Sequence, residues 1–166
     1  LVEDCLARAE QGQCVLWIRN TVQEAQETYR SLKGASREGG PDIGLLHSRF
    51  PFHRREELEP DWMARLGKDA GKRLNGCVLV STQVAEQSVD IDADLLITDI
   101  APTDMLLQRL GRLWRHERPG RPCAQPEVWI RNVPLSDDQA GVETATALKK
   151  ALGKSAKIYA PYVLLR

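Results

Sequence analysis

Short apolar runs alternate with amphipathic stretches along the chain, and the alternation sets the element order. Strands are predicted at 14–19 (Cys-Val-Leu-Trp-Ile-Arg), 43–46, 77–81 (Cys-Val-Leu-Val-Ser), 95–98 and 127–133. The 77–81 run is continuously apolar, as a strand covered on both faces must be. Helices are predicted over 2–11, from Thr21 to about residue 32, and over 54–66, 103–115 and 137–152. Thr21 and Glu24 have the spacing of a capping box. Gly34, Gly39, Gly40 and Pro41 break the chain, and Pro119, Gly120, Pro122 and Pro126 make a later loop. Strands alternating with helices predict an α/β domain of three layers. Its sheet is mostly parallel, with helices on both faces. Ligands of such a doubly wound sheet sit at the carboxyl ends of its strands.

Within the predicted helix 103–115, Leu106, Leu110 and Leu113 recur at i, i+4 and i+7 and form a core-facing stripe. Gln108, Arg112 and Arg115 have the same spacing on another face. Gly111 lies beside them, although glycine inside a helix costs about 1 kcal/mol relative to alanine. It leaves room for a ligand or another backbone to approach. Two guanidinium forks a turn apart, with an amide and a gap, suit several phosphate oxygens. The alternative is an exposed face whose arginines serve solubility.

Composition adds little until it is read locally. The chain has 166 residues, enough for one domain, with 42% hydrophobic and 28% charged residues. Lys+Arg 23 and Asp+Glu 23 cancel, so overall charge points to no partner. Between Gln108 and Arg131, however, six arginines face only Glu117 and Glu127, which implies a local anionic ligand. Cys5, Cys14, Cys77 and Cys123 form no C-x-x-C pair and read as buried free thiols in a reducing compartment. Asp90, Asp92, Asp94 and Asp99 read as loop and turn chemistry, and no metal site is assigned. His47 and His116 read as polar neighbours of the cleft. Trp17, Trp114 and Trp129 read as core, and Trp62 as the anchor of a helix. No signal peptide and no membrane-spanning run is visible, so no membrane partner is expected. The chain begins without Met and reads as a piece of something longer.

The segment Gln-Arg-Leu-Gly-Arg-Leu-Trp-Arg at 108–115 resembles motif VI (Q-x-x-G-R-x-x-R) of superfamily-2 helicases. Residues 80–92 resemble their motif V, residues 15–20 with Thr21 motif IV, and residues 46–50 motif IVa. The wording at 82–90, 106–116, 47–50 and 159–166 is similar to the helicase–nuclease of type I CRISPR systems. Ser88 stands where most superfamily members have Gly, which favours that branch.

The resemblance implies that 1–166 is a second RecA-like domain, one half of a 3′-to-5′ motor on single-stranded DNA in CRISPR interference. It implies ATP as cofactor, with Mg²⁺ held by a first RecA-like domain of the same chain, and a CRISPR surveillance complex as partner in the cytoplasm. Arg112 and Arg115 would be arginine fingers, and Gln108 would hold the γ-phosphate or the attacking water. Asp90 would take the ribose, beside Gly111. Asn20, Thr21, His47, Ser48, Arg49 and Thr82 would contact the DNA backbone without reading sequence. Thr21 is equally readable as a helix cap alone. No G-x-x-x-x-G-K-[ST], D-E-x-H or nuclease His-Asp pair occurs, so the chain is expected to supply half of an ATPase. Two rivals stand beside this reading. One is another superfamily-2 RNA helicase or DNA translocase. The other is a non-catalytic interaction module that kept the fold.

Overall fold

The computed structural model describes residues 1–69, 73–86 and 90–131. Five strands, β1 (Cys14–Ile18), β2 (Asp42–Leu46), β3 (Cys77–Ser81), β4 (Leu95–Asp99) and β5 (Glu127–Arg131), form one sheet in the order β2-β3-β1-β4-β5. All four pairings are parallel. The helices are α1 (Val2–Glu10), α2 (Val22–Ala35), α3 (Phe52–Leu66) and α4 (Thr103–Leu110). The predicted helix 137–152 and the 159–166 segment lie outside the described residues.

Alternation along β1 divides the core into two halves. Val15 and Trp17 point to the side covered by α1 and α2, where Leu6, Ala9, Ala25 and Leu32 meet them. Cys14, Leu16 and Ile18 point to the other side, beneath Trp62 and Leu66 of α3 and Ile91 and Ala93 of the later loop. This is the expected three-layer sandwich. Trp62 belongs to the core, whereas Trp114 is only half-buried outside it. The cysteines are free; Cys5, Cys14 and Cys77 are buried and Cys123 is half-buried. Burial pushes the Cys5 thiol up to about 12.

One predicted element is shorter than its pattern implied. The helix ends at Leu110 with Gly111 as its cap, so 103–115 is not one helix. The cause is tertiary. Ala93 donates to the Arg112 carbonyl at 2.8 Å and accepts from Trp114 N–H at 3.0 Å, which draws the chain into a parallel bridge at Leu113. Trp114 then turns with φ +47°. The leucine stripe fails with the helix. Leu110 is 40% exposed, and Leu113 reaches the core from the loop instead. The residue that α4 turns inward is Arg109, which is fully buried.

Candidate functional site

The chain leaves β1 toward β2 on one side and leaves β4 toward β5 on the other. A crevice therefore opens between the carboxyl ends of β1 and β4, where ligands of doubly wound sheets bind. Asn20 and Thr21 follow β1, residues 47–49 follow β2, Thr82 follows β3, and α4 follows β4. Because every strand is parallel, these segments share one edge of the sheet.

A buried polar network floors the crevice. Arg109 Nε donates to Glu86 Oε1 at 2.7 Å, and its Nη1 donates to Thr98 Oγ1 at 2.7 Å and to the Asp99 carbonyl at 3.1 Å. Its Nη2 donates to Asn20 Oδ1 at 3.1 Å. Asp99 in turn accepts from Arg19 Nε and the Asn20 N–H through one oxygen, and from Arg131 through the other. A buried guanidinium survives only when its charge and its donors are matched, and here both are.

The aspartates and arginines that looked separate in sequence are partners in space. Asp90 pairs with Arg115 at 2.8 Å, Asp92 with Arg118 and Arg121, Asp94 with Arg73 and Arg121, and Asp99 with Arg19 and Arg131. The aspartate run is a set of counter-ions rather than turn chemistry. The basic stretch is correspondingly less basic than its composition: Arg109, Arg115, Arg118, Arg121 and Arg131 each meet a carboxylate. Among the described residues, Arg112 alone of the six has no carboxylate at ion-pair distance. Its Nε and Nη2 donate instead to the carbonyls of Ala85 at 3.0 Å and Glu86 at 2.8 Å. Burial, then the neighbouring positive charge of Arg115, pulls its pKa below the ordinary arginine value.

Asp90 and Arg115 lie at the surface beyond the helix end, 48% and 40% exposed. His116 Nε2 lies 2.9 Å from Asp90 Oδ1. Partial burial raises the Asp90 carboxyl, but the His116 hydrogen bond and the His116 and Arg115 charges outweigh it and hold the group below the usual carboxylate range. The structure thus brings Asp90, Arg112, Arg115 and His116 together, though not on one helical face. Gln108 is exposed one turn earlier on α4. Gly111 is exposed at the helix end between them. Among the described residues, no three His, Cys, Asp or Glu side chains converge on a point that could hold a metal ion.

The six residues expected at the nucleic acid divide by burial. Ser48 and Arg49 are exposed and Thr21 is partly so, while Asn20, His47 and Thr82 are buried. Thr21 caps α2 by accepting the Glu24 N–H at 3.0 Å, and its hydroxyl donates to Glu24 Oε2. His47 stacks on Phe50 with ring centroids 4.2 Å apart and meets Gln26 at 3.3 Å. Burial, with the nearby Arg49 charge, holds its pKa below the usual histidine value. His47 is thus buried beneath a turn whose exposed polar side chains are Ser48 and Arg49.

The pattern reading missed Arg109 and Glu86. The signal was present: Pro102, Leu106, Arg109 and Leu113 also follow helical spacing, so an arginine occupies a position on an otherwise apolar stripe.

The family model for the CRISPR-associated nuclease/helicase Cas3, C-terminal, matches residues 11–118. A CRISPR-associated endonuclease/helicase Cas3 of Thermus thermophilus is 54% identical over 126 residues, covering 76% of this chain and 12% of that protein. The crystal structure of T. fusca Cas3-AMPPNP is 35% identical with a TM-score of 0.77, covering 99% of this chain and 18% of that one. A CRISPR RNA-guided surveillance complex, pre-nicking, contains a chain 32% identical with a TM-score of 0.67, covering 99% of this chain and 22% of that one. The chain therefore spans a fifth or less of the length of the first two relatives.

Proposed function

The chain belongs to the C-terminal family of the CRISPR-associated nuclease/helicase Cas3, and from that premise we propose that it is the second motor half of an ATP-driven translocase on single-stranded DNA. In this reading 1–166 is one domain of a longer protein that meets a CRISPR surveillance complex. It hydrolyses nothing alone, because its sequence has no phosphate-cradling loop. Bound ATP would supply the transferable phosphoryl group, with Mg²⁺ held by the first RecA-like half.

The observation that carries the proposal is Arg112. A half-buried guanidinium that donates to two main-chain carbonyls, with the Arg115 charge beside it, suits an anion from outside the domain. Arg115 would join it by exchanging Asp90 for phosphate oxygens, and Gln108 would orient the attacking water. Asp90, once released, would accept a ribose hydroxyl beside Gly111. Domain closure would bring these groups to the phosphates, and reopening would move the grip on the strand. Ser48, Arg49 and Thr21 would hold the DNA backbone directly, over Asn20, His47 and Thr82.

Arg112→Ala in the full-length protein should lower DNA-stimulated phosphate release by about 10³-fold or more. Arg112→Lys should not restore it, since a point charge does not replace a fork. The melting temperature should stay close to wild type in both. A normal rate in Arg112→Ala would overturn the assignment.

A further inference from the structure

Glu86 stands between the two sites of the proposed function. Its carboxylate accepts Arg109 Nε at 2.7 Å, and its main-chain carbonyl accepts Arg112 Nη2 at 2.8 Å. The Ala85 carbonyl takes Arg112 Nε at 3.0 Å. Both carbonyls lie on one short 3-10 turn, Gln83–Glu86. The same turn is tied to Asn20 twice. The Gln83 side-chain amide donates to the Asn20 carbonyl at 3.0 Å, and Arg109, held by Glu86, donates to Asn20 Oδ1 at 3.1 Å. Asn20 is fixed on its far side, its N–H on Asp99 and its side-chain amide on the Ile100 carbonyl at 2.8 Å. Arg109 and Glu86 are buried, so the bond between them and the one from Arg109 to Asn20 are shielded from salt and hard to remake with water.

We propose that Arg109, Glu86 and Gln83 form a positioning relay that couples the nucleic-acid turn at 20–21 to the arginine finger Arg112. The proposal rests on the function given above for those two sites. A strand phosphate at the Asn20-Thr21 turn shifts Asn20. Asn20 cannot move without the 83–86 turn, because the two are linked at both the main chain and the side chain. The turn carries the two carbonyls that hold Arg112, so its shift changes how firmly the guanidinium is kept from the nucleotide. The relay uses discrete hydrogen-bonded partners with no slack in sequence: Gln83 and Glu86 are the ends of a single turn. Arg109 reaches both sides at once because its fork has five donors in a fixed plane.

The test uses the full-length protein and a homopolymeric single-stranded DNA. Three quantities are read: the ratio of phosphate-release rates with and without DNA, the affinity for DNA, and the melting temperature. Glu86→Ala removes the acceptor of Arg109 Nε and so cuts the first tie. Gln83→Leu cuts the second tie at a half-buried position and tests the relay should Glu86→Ala not fold. Each variant should lower the stimulation ratio by about tenfold, within the range of site-to-site couplings, with DNA affinity at the wild-type level. A role confined to stability would lower the melting temperature and leave the ratio intact. The relay is overturned if every variant that folds keeps the wild-type ratio, or loses it only in step with DNA affinity. Arg112→Ala separates the two readings. If it hydrolyses normally, the finger assignment fails. If it is inactive while Gln83→Leu keeps the ratio, the relay alone fails.

Discussion

Gly111 is a glycine the fold does not require. Its φ is −64°, an ordinary right-handed value, and a Cβ there would meet only the Gln108 and Leu107 carbonyls at 3.4 and 3.6 Å. Alanine should therefore fit and, by narrowing the unfolded ensemble, raise the stability of the purified chain by about 0.4–1 kcal/mol. In the proposed function the nucleotide approaches on that open side. In the full-length protein the same Gly111→Ala change should slow hydrolysis by roughly 10- to 100-fold, the scale on which small misplacements act in catalysis. Urea unfolding and phosphate release on the same variant check both halves. A variant that is more stable and fully active would show that nothing approaches there. Trp114 is the opposite case. It has a Cβ and φ +47°, a conformation costing an L-residue roughly 1–2 kcal/mol. Its backbone is held by Ala93, and the Arg121 guanidinium lies 4.8 Å from the ring centroid.

At the scale of the element, α4 shows where periodicity stops being informative. Leu106, Leu110 and Leu113 have the spacing of a core stripe, and the helix that would carry the stripe ends at Leu110. Leu110→Ala should then cost the purified chain less than about 1 kcal/mol, as surface substitutions do. Leu66→Ala, at a fully buried position on α3, should cost about 2–5 kcal/mol. Thermal unfolding of the two variants side by side decides it, and equal losses would restore the inward stripe. The strands were legible because the sheet is covered on both faces and reads as uninterrupted apolar runs; 77–81 is matched residue for residue by β3. The cap at Thr21 was legible because its partner is three residues away. The helix end was not, since it depends on Ala93, distant in sequence from Arg112 and Trp114. For the same reason the candidate site was legible as a set of residues but not as an arrangement. Neither Asp90 facing Arg115 nor Arg109 facing Glu86 has a local signature.

At the scale of the molecule, the buried charge among the described residues gathers at the two ends of the sheet and is used differently at each. The carboxyl end holds Arg19, Asp99, Arg109 and Glu86 beneath the proposed site. The amino end holds Asp92 and Asp94, both without exposed side-chain surface, against Arg73, Arg118 and Arg121. That second cluster joins three distant segments: the 73–75 turn, the loop before β4 and the loop after α4. It also fastens β1, whose Cys14 N–H donates to Asp94 at 2.8 Å. Burial alone would raise the Asp92 carboxyl, but Arg121, Arg73 and Arg118 outweigh it and hold the group below the usual carboxylate range. A depressed folded-state pKa means that the ionised form is bound more tightly in the native state. The stabilisation is therefore complete above the unfolded carboxylate value near pH 4 and is lost as pH falls through the folded one. Asp92→Asn leaves Arg118 without its carboxylate, and Arg73 and Arg121 with Asp94 alone, and should lower stability at pH 7 by about 3 kcal/mol. The gap between wild type and variant should close as the pH is lowered below about 4, because protonation of Asp92 in the wild type produces the same loss. Urea denaturation of the purified chain at a series of pH values measures that gap. A gap that stays constant down to acid pH would mean that Asp92 contributes through packing and hydrogen bonding alone, and that the amino-end cluster is not an electrostatic lock.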